Sequence, residues 1–380
     1  MSQISFTELL WASYESWLVL LMTAVTCALI GSFLVLRRMS MIADAISHSV
    51  LLGIVLAFFI VGDLDSPLLI MGAAALGLVT VWSTERLSKM PLVDNDDAIG
   101  IVYSFFFALA IILITSFAGN VHLDTDVVLT GEVILAPLNR VDLLGWSVPK
   151  AFAKMFFLFI LNSAFIGIFF KELKLTTFDE SYSLLAGFYP VILFYSLMSL
   201  VSVSTVVAFD AVGAILVVAF LIGPGATAYL ICDDLKQLLL VSSFIAMLNA
   251  TLGYFIGILL NVSLAGMTAV MTGILFFIVF LFHSRGLVTS IIQRSHQAKQ
   301  LKQDLVLMHI KIHTQQNELL EELKAGSLDQ HFNWNTKQME SVLDQLFHQR
   351  FITIEPHQQV YQLTRLGEER LEQMKKIYDL

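Results

Sequence analysis

The sequence predicts an all-α polytopic membrane protein of about nine spans, eight if one short turn is not a turn, with a small α+β domain at its C-terminal end. Three observations predict this. First, 57% of the 380 residues are hydrophobic and 14% charged. With a mean hydropathy of +0.78, the chain is too apolar for a soluble globular protein. Second, apolar runs reaching the roughly 20 residues that cross a bilayer recur from Trp17 to Phe282. Third, the composition changes abruptly after Phe282. Of the 22 Lys+Arg and 31 Asp+Glu, 10 and 19 lie in residues 1–284, leaving 12 of each beyond. Residues 1–284 are therefore read as a transmembrane domain and 285–380 as a soluble one.

The first span covers about 16–36. No Lys or Arg precedes Trp17, and the run is too long for the apolar core of a signal peptide, so it is read as a retained span. Arg37 and Arg38 follow. The second span is about 41–62, Asp63, Asp65 and Pro67 mark a turn, and the third span is about 67–84. Glu85 to Asp97 is a polar loop, and span four is about 98–118. Residues 119–150 mix His122, Asp124, Asp126, Glu132, Arg140 and Asp142 with apolar residues and read as a loop with a short helix near 129–138, with a re-entrant segment as the alternative. Span five is about 151–170. Residues 171–187 are polar, then amphipathic, and lie outside the bilayer. Span six is about 188–206, span seven runs from Asp210 to Ile231, span eight is about 238–260 and span nine about 267–283. The turns after spans two and six are so short that the count of nine can fall to eight.

Lys and Arg near span ends set the orientation. With the Arg37-Arg38 turn inside, the inner side carries Arg37, Arg38, Arg86, Lys89, Lys171, Lys174 and Lys236. The outer side carries Arg140, Lys150 and Lys154. This puts the N-terminus outside and the C-terminal domain in the cytoplasm, in a multi-pass (inner) membrane protein surrounded by lipid.

In the C-terminal domain, Gln297 to Leu323 has helical periodicity. Asn335 to Arg350 is an amphipathic helix with Met339, Val342, Leu343 and Leu346 on one stripe. Phe351 to Glu355 and Val360 to Thr364 are strand-like, and a further helix follows from Leu366. Helix, two-stranded wing, helix is the order of a winged helix. Its balanced charge argues against nucleic acid as a partner.

The chemistry is sparse. Cys27 and Cys232 give neither a disulfide framework nor a CxxC pair. There is no P-loop and no H-E-x-x-H, so the chain is not read as an enzyme. Asp44 and His48 stand four apart in the second span, which puts them on one helix face. A carboxylate and an imidazole there can chelate a divalent transition ion. Ionisable residues inside a membrane usually line a pathway. Spacing alone leaves open a second reading, a pair that hydrogen-bonds internally at a subunit contact. Ser196, Ser199, Ser202 and Ser204, with Gly213, Gly223 and Gly225, read first as close helix packing and second as the lining of a water-filled path. His122, Asp124 and Asp126 read as a solvated acidic loop, with transient metal capture as the alternative. His309 and His313 are also four apart. Solvated surface is the first reading for them and metal sensing the second.

Leu36, Arg37, Arg38, Ser40, Asp44, Ala45, Ser47, His48 and Gly53 follow the pattern L-R-R-x-S-x-x-x-D-A-x-S-H-x-x-x-x-G. Three further stretches agree in order: Asp96 to Ile101, Phe178-Asp179-Glu180 through Ala186-Gly187, and Val212-Gly213 through Pro224 and Ala226. The spacing inside 178–187 departs by a residue or two. On these residues, the chain resembles the permeases of metal-importing ABC systems over about residues 15–283. The resemblance implies an ATP-driven importer of manganese, zinc or iron, with no bound cofactor beyond the transported ion. It implies that Asp44 and His48 belong to the metal path, contributed by two permease chains, identical or homologous. It places a coupling helix at Phe178, Asp179, Glu180, Ala186 and Gly187, docking on a separate ABC ATPase subunit, and an extracytoplasmic metal-binding protein as donor. The C-terminal domain is an added module beyond that pattern. Two other classes compete: an ion-gradient-driven secondary metal transporter, and a membrane-bound metal sensor or regulator.

Overall fold

A computed structural model of the chain describes residues 13–63, 66–117, 133–143, 145–283, 286–315, 323, 332, 334–355 and 360–378. Among these, nine helices are long and apolar enough to cross a membrane. They are α1 (Tyr14–Leu36), α2 (Ser40–Val61), α3 (Pro67–Ser88), α4 (Asn95–Phe117), α5 (Lys150–Ile168), α8 (Pro190–Val212), α9 (Ala214–Ile231), α10 (Leu235–Leu260) and α11 (Leu264–Phe282), with two short helices, α6 (Phe170–Phe178) and α7 (Glu180–Leu185), between α5 and α8. At 18 to 26 residues and 1.5 Å per residue they are about 27–39 Å long, enough for a hydrocarbon core of about 30 Å.

Two helices outrun their expected ends, for the same reason. Glu85 and Arg86 were expected in a loop, yet α3 continues to Ser88. Tyr195 of α8 donates a hydrogen bond to Glu85 at 2.5 Å, Lys89 lies 2.6 Å from it, and Arg86 sits over the Trp82 ring. Asp210 was expected to open span seven. It belongs instead to the last turn of α8, where Lys154 of α5 reaches it at 2.6 Å. Polar residues with partners do not end a helix. What separates α8 from α9 is one residue, Gly213, at φ 84°, a conformation that favours glycine.

The segment after α4 also departs from expectation. The short helix expected near 129–138 stands as a 3₁₀ helix over Val133–Leu138; the unexpected part is a hairpin after it, β1 (Arg140–Leu143) and β2 (Trp146–Pro149), antiparallel with Arg140 opposite Pro149. Four-residue strands carry too little alternation to announce themselves. His122, Asp124 and Asp126 lie outside the described residues.

α1 is the most buried span and packs against α2, α5, α8, α9 and α10. Small and hydroxyl residues let helices approach closely. The Asn162 amide donates to Ser204 Oγ, and Ser202 Oγ to the Ala74 carbonyl, each at 3.0 Å. Contacts sort the helix ends into two groups. At one end, Arg37 meets Thr176, Lys174 meets Asp234, and Tyr195 meets Glu85. At the other, Ser13 meets Tyr254, Glu15 meets Arg140, and Lys154 meets Asp210. That alternation is what nine crossings require.

A second compact unit, Leu287–Leu380, follows the unit Met1–Gly286. It holds α12 (Leu287–Gln315), α13 (Thr336–His348), strands β3 (Ile352–Glu355) and β4 (Val360–Leu363) and α14 (Arg365–Tyr378). The strands pair antiparallel, with Ile352 opposite Leu363. Val306, Leu307 and Ile310 of α12 join Met339, Val342 and Leu346 of α13 and Leu371 of α14 in one core. Arg370 reaches the buried Asp304 at 3.3 Å.

Candidate metal path and coupling surface

The first site sits on α2 and begins with a turn of three residues. α1 ends at Leu36; the Arg37 N–H returns to the Phe33 carbonyl at 3.0 Å and the Met39 N–H to Leu34 at 2.8 Å. Arg38 adopts the left-handed conformation at φ 58°, and α2 starts at Ser40. From there Asp44 and His48 lie about 6 and 12 Å along the helix axis. Ala43, Ala45, Ile46 and Ser49 around them are buried, whereas the His48 and Asp44 side chains are 33% and 37% exposed.

His48 Nε2 stands 3.6 Å from Asp44 Oδ1. That is beyond hydrogen-bond distance, which weighs against a self-satisfied pair. It suits two ligands of one ion: with bonds of about 2.1 Å, the edge of a tetrahedron is about 3.4 Å. α4 orients the imidazole. Tyr103 stacks on it at 5.6 Å between ring centroids, and Phe107 meets it edge-on at 5.5 Å. Both were missed in the sequence; their i, i+4 spacing on span four was the available signal. Among the described residues no cluster of three or more His, Cys, Asp or Glu is placed to hold a metal. As a metal site the pair would be incomplete by itself, two donors of a set with the rest from elsewhere.

The second site is the α6–α7 segment. Asp179 ends α6 and caps α7, its carboxylate accepting the Tyr182 N–H at 2.8 Å. Glu180 occupies the first turn of α7 and Ala186 its C-cap. Gly187, at φ 84°, turns the chain toward α8. Leu173, Thr176 and Ser183 face inward, while Phe178 is 61% and Leu185 86% exposed, with Tyr182 and Leu184 beside them. The structure thus gathers Phe178, Asp179, Glu180, Ala186 and Gly187 into one helix–cap–helix projection with an apolar rim. Tyr182, Leu184 and Leu185 belong to that rim and were not singled out from sequence.

Two further features lie apart from these residues. Asp234 caps α10 and takes the Lys174 ammonium at 3.0 Å; that hydrogen bond, with the capped amides, holds its carboxyl below the usual range. In the second unit the His309 and His313 rings lie side by side, centroids 4.2 Å apart, with Phe332 against His309.

Comparison with known proteins bears on the whole first unit. Residues 12–283 match the model of the ABC 3 transport family. The chain is similar to the manganese transport system membrane protein MntD of Bacillus subtilis, 41% identical over 292 residues that cover 76% of this chain and 99% of the relative. It is similar to the zinc transport system membrane protein TroD of Treponema pallidum, 38% identical over 333 residues that cover 87% of this chain and 90% of the relative. The second match is longer than the first unit and so extends into the tail. Among solved structures, PsaBC from Streptococcus pneumoniae in complex with Fab superposes with a TM-score of 0.62 and 30% identity, covering 76% of this chain and 98% of that one.

Proposed function

The chain belongs to the ABC 3 transport family, and from that premise we propose that it is the membrane permease of an ATP-driven importer for manganese or zinc. Relatives named for those two metals support the choice; iron, admitted by the ligand chemistry alone, has no such support. The single observation that carries the reading is the Asp44–His48 pair, two partly exposed donors 3.6 Å apart on a spanning helix with no other Asp, Glu, Lys, Arg or His.

Two such pairs, one from each of two permease chains, identical or homologous, supply two carboxylates and two imidazoles. That mixed O/N set suits a borderline divalent ion. The cargo must leave again, so a site assembled from two halves that can separate has an advantage over a closed cage. Both imidazoles must be neutral to bind, and Tyr103 and Phe107 hold the ring in place for that.

ATP hydrolysis falls to a separate ABC ATPase subunit, and this chain is not an enzyme. The exposed rim of α7 offers that subunit its contact, through which domain closure moves the bundle. An extracytoplasmic metal-binding protein delivers the ion. The N-terminus lies outside and the tail in the cytoplasm, as the seven-to-three bias of Lys and Arg supports. The tail is a winged-helix-like regulatory module, supported by the order α13, β3, β4, α14; its balanced charge disfavours a nucleic-acid partner, and His309 and His313 offer it a weak metal contact.

The test is metal accumulation under limiting supply. Asp44→Ala and His48→Ala should each lower manganese or zinc uptake by more than about a hundredfold, above the effect of losing a supporting residue, while the protein stays inserted. Normal uptake by both variants would refute the site.

A further inference from the structure

Arg37 is the residue that ties the two sites together, and nothing in the metal chemistry requires it. It follows α1 and lies seven residues before Asp44, in the three-residue turn that leads directly into α2. Its guanidinium leaves this turn and crosses to two other elements. Nη2 donates to Thr176 Oγ1 of α6 at 3.1 Å. The guanidinium carbon lies 5.7 Å from the centroid of the Phe194 ring of α8, within cation–π range. Thr176 is itself buried, its hydroxyl fixed over the α6 backbone. Burial of the guanidinium pushes its pKa down, and the Glu180 carboxylate at the start of α7 works against that. One planar cation therefore touches α6, α8 and the field of α7 from a base rigidly joined to α2.

We propose that Arg37 is a positioning residue for transport: a clasp through which displacement of α6–α7 is passed to α2, and so to Asp44 and His48. This rests on the importer reading, in which α6–α7 is the element the ATPase moves. α6–α7 and α2 are far apart in sequence; α8, which follows α7 and packs on α2, gives one route between them, and the Arg37 side chain gives a second, direct one. The short turn, with its returned hydrogen bonds and left-handed Arg38, does not absorb a displacement as a long loop would. A flat guanidinium can hold the hydroxyl at its edge and the ring at its face together; an ammonium cannot. The prediction separates Arg37 from residues that merely hold the fold: losing it should break the link between hydrolysis and transport while leaving each half of the machine intact.

The experiment uses the full permease in complex with its ATPase in proteoliposomes, reading ATP hydrolysis and Mn²⁺ or Zn²⁺ uptake together. Arg37→Ala should lower ions carried per ATP by about tenfold or more, with hydrolysis retained. Arg37→Lys should recover only part of that loss. Thr176→Val, which keeps the packing and removes the acceptor, should show the same defect in weaker form and keep the proposal testable if Arg37→Ala does not assemble. Unchanged ions per ATP in Arg37→Lys and Thr176→Val would overturn the clasp. So would hydrolysis and uptake falling by one common factor in every variant, since that marks a general loss of folded complex. A wild-type complex that transports without hydrolysing ATP would overturn the importer reading itself, and the clasp with it, and is distinguishable because the defect then lies in the unmutated protein.

Discussion

Both units of this chain bury large apolar side chains, but their helices come closest by different means. Where α2 crosses α3, contact is made by residues with almost no side chain: a Cβ on Gly53 would stand 2.6 Å from the Gly72 carbonyl oxygen and 2.7 Å from Ala73 Cα. In the tail, contact is made by Leu307, Ile310, Met339 and Leu346, all buried beneath a charged surface. The difference follows from the solvent. Lipid is as apolar as leucine, so burying leucine brings membrane helices together only weakly, and close backbone approach does more. Water drives the tail's apolar stripes inward. In the first unit, then, what is conveyed to the site is shape; in the second, what is maintained is burial.

Substitutions of opposite sense can break this contrast. The largest effect should come from Gly53→Leu, which adds volume where α2 meets backbone: correctly folded permease should be lost, read as collapse of the monodisperse detergent-solubilised peak, although Asp44 and His48 remain. Next, Phe178→Asp at the end of α6 or Leu185→Asp at the end of α7 puts a carboxylate on the exposed rim of the α6–α7 projection. ATPase co-purification should fall by about tenfold or more, by the scale of an interface anchor, with insertion unchanged. Cysteine labelling that places 178–187 outside the cell would sink both the docking claim and the topology.

Leu346→Ala should act in the other unit alone. Removing a fully buried leucine costs about 2–5 kcal/mol. The tail should lose its protease resistance, while uptake in metal-poor medium stays within about twofold of normal, since MntD at 41% identity aligns almost end to end with only 76% of this chain. The smallest effect should be that of truncation after Gly286. Transport at low cytoplasmic metal should persist, and only its decline as cytoplasmic metal rises should flatten. Identical curves for full-length and truncated protein would dismiss a sensing tail, and loss of assembly would point to a stabilising one.

How far the fold was legible follows the same division. Nine spans could be read because lipid imposes length and apolarity on each. The tail's helix, strand pair and helix could be read because water imposes period on them; α13 and strands β3 and β4 stand within a residue or so of their expected bounds. What could not be read depended on a partner elsewhere in the chain. Glu85 stays helical because Tyr195, more than a hundred residues on, donates to it. Asp210 closes α8 because Lys154 is there to meet it. The β1–β2 hairpin was too short to show a pattern. For Asp44 and His48, one shared helix face was legible from spacing; the 3.6 Å between them needed the side chains placed, and the Tyr103 and Phe107 rings against the imidazole needed the packing of α4 on α2. Arg37 stood in a recognisable motif, but that it reaches α6 and α8 is purely tertiary information.

The central claim is that His48 and Asp44 hold the cargo. The most direct test is electron spin-echo spectroscopy of Mn²⁺ bound to the purified complex labelled with ¹⁵N-histidine. The account predicts a nitrogen coupling from a directly ligated imidazole, abolished in His48→Ala and retained in His309→Ala. The same coupling surviving in His48→Ala would contradict it.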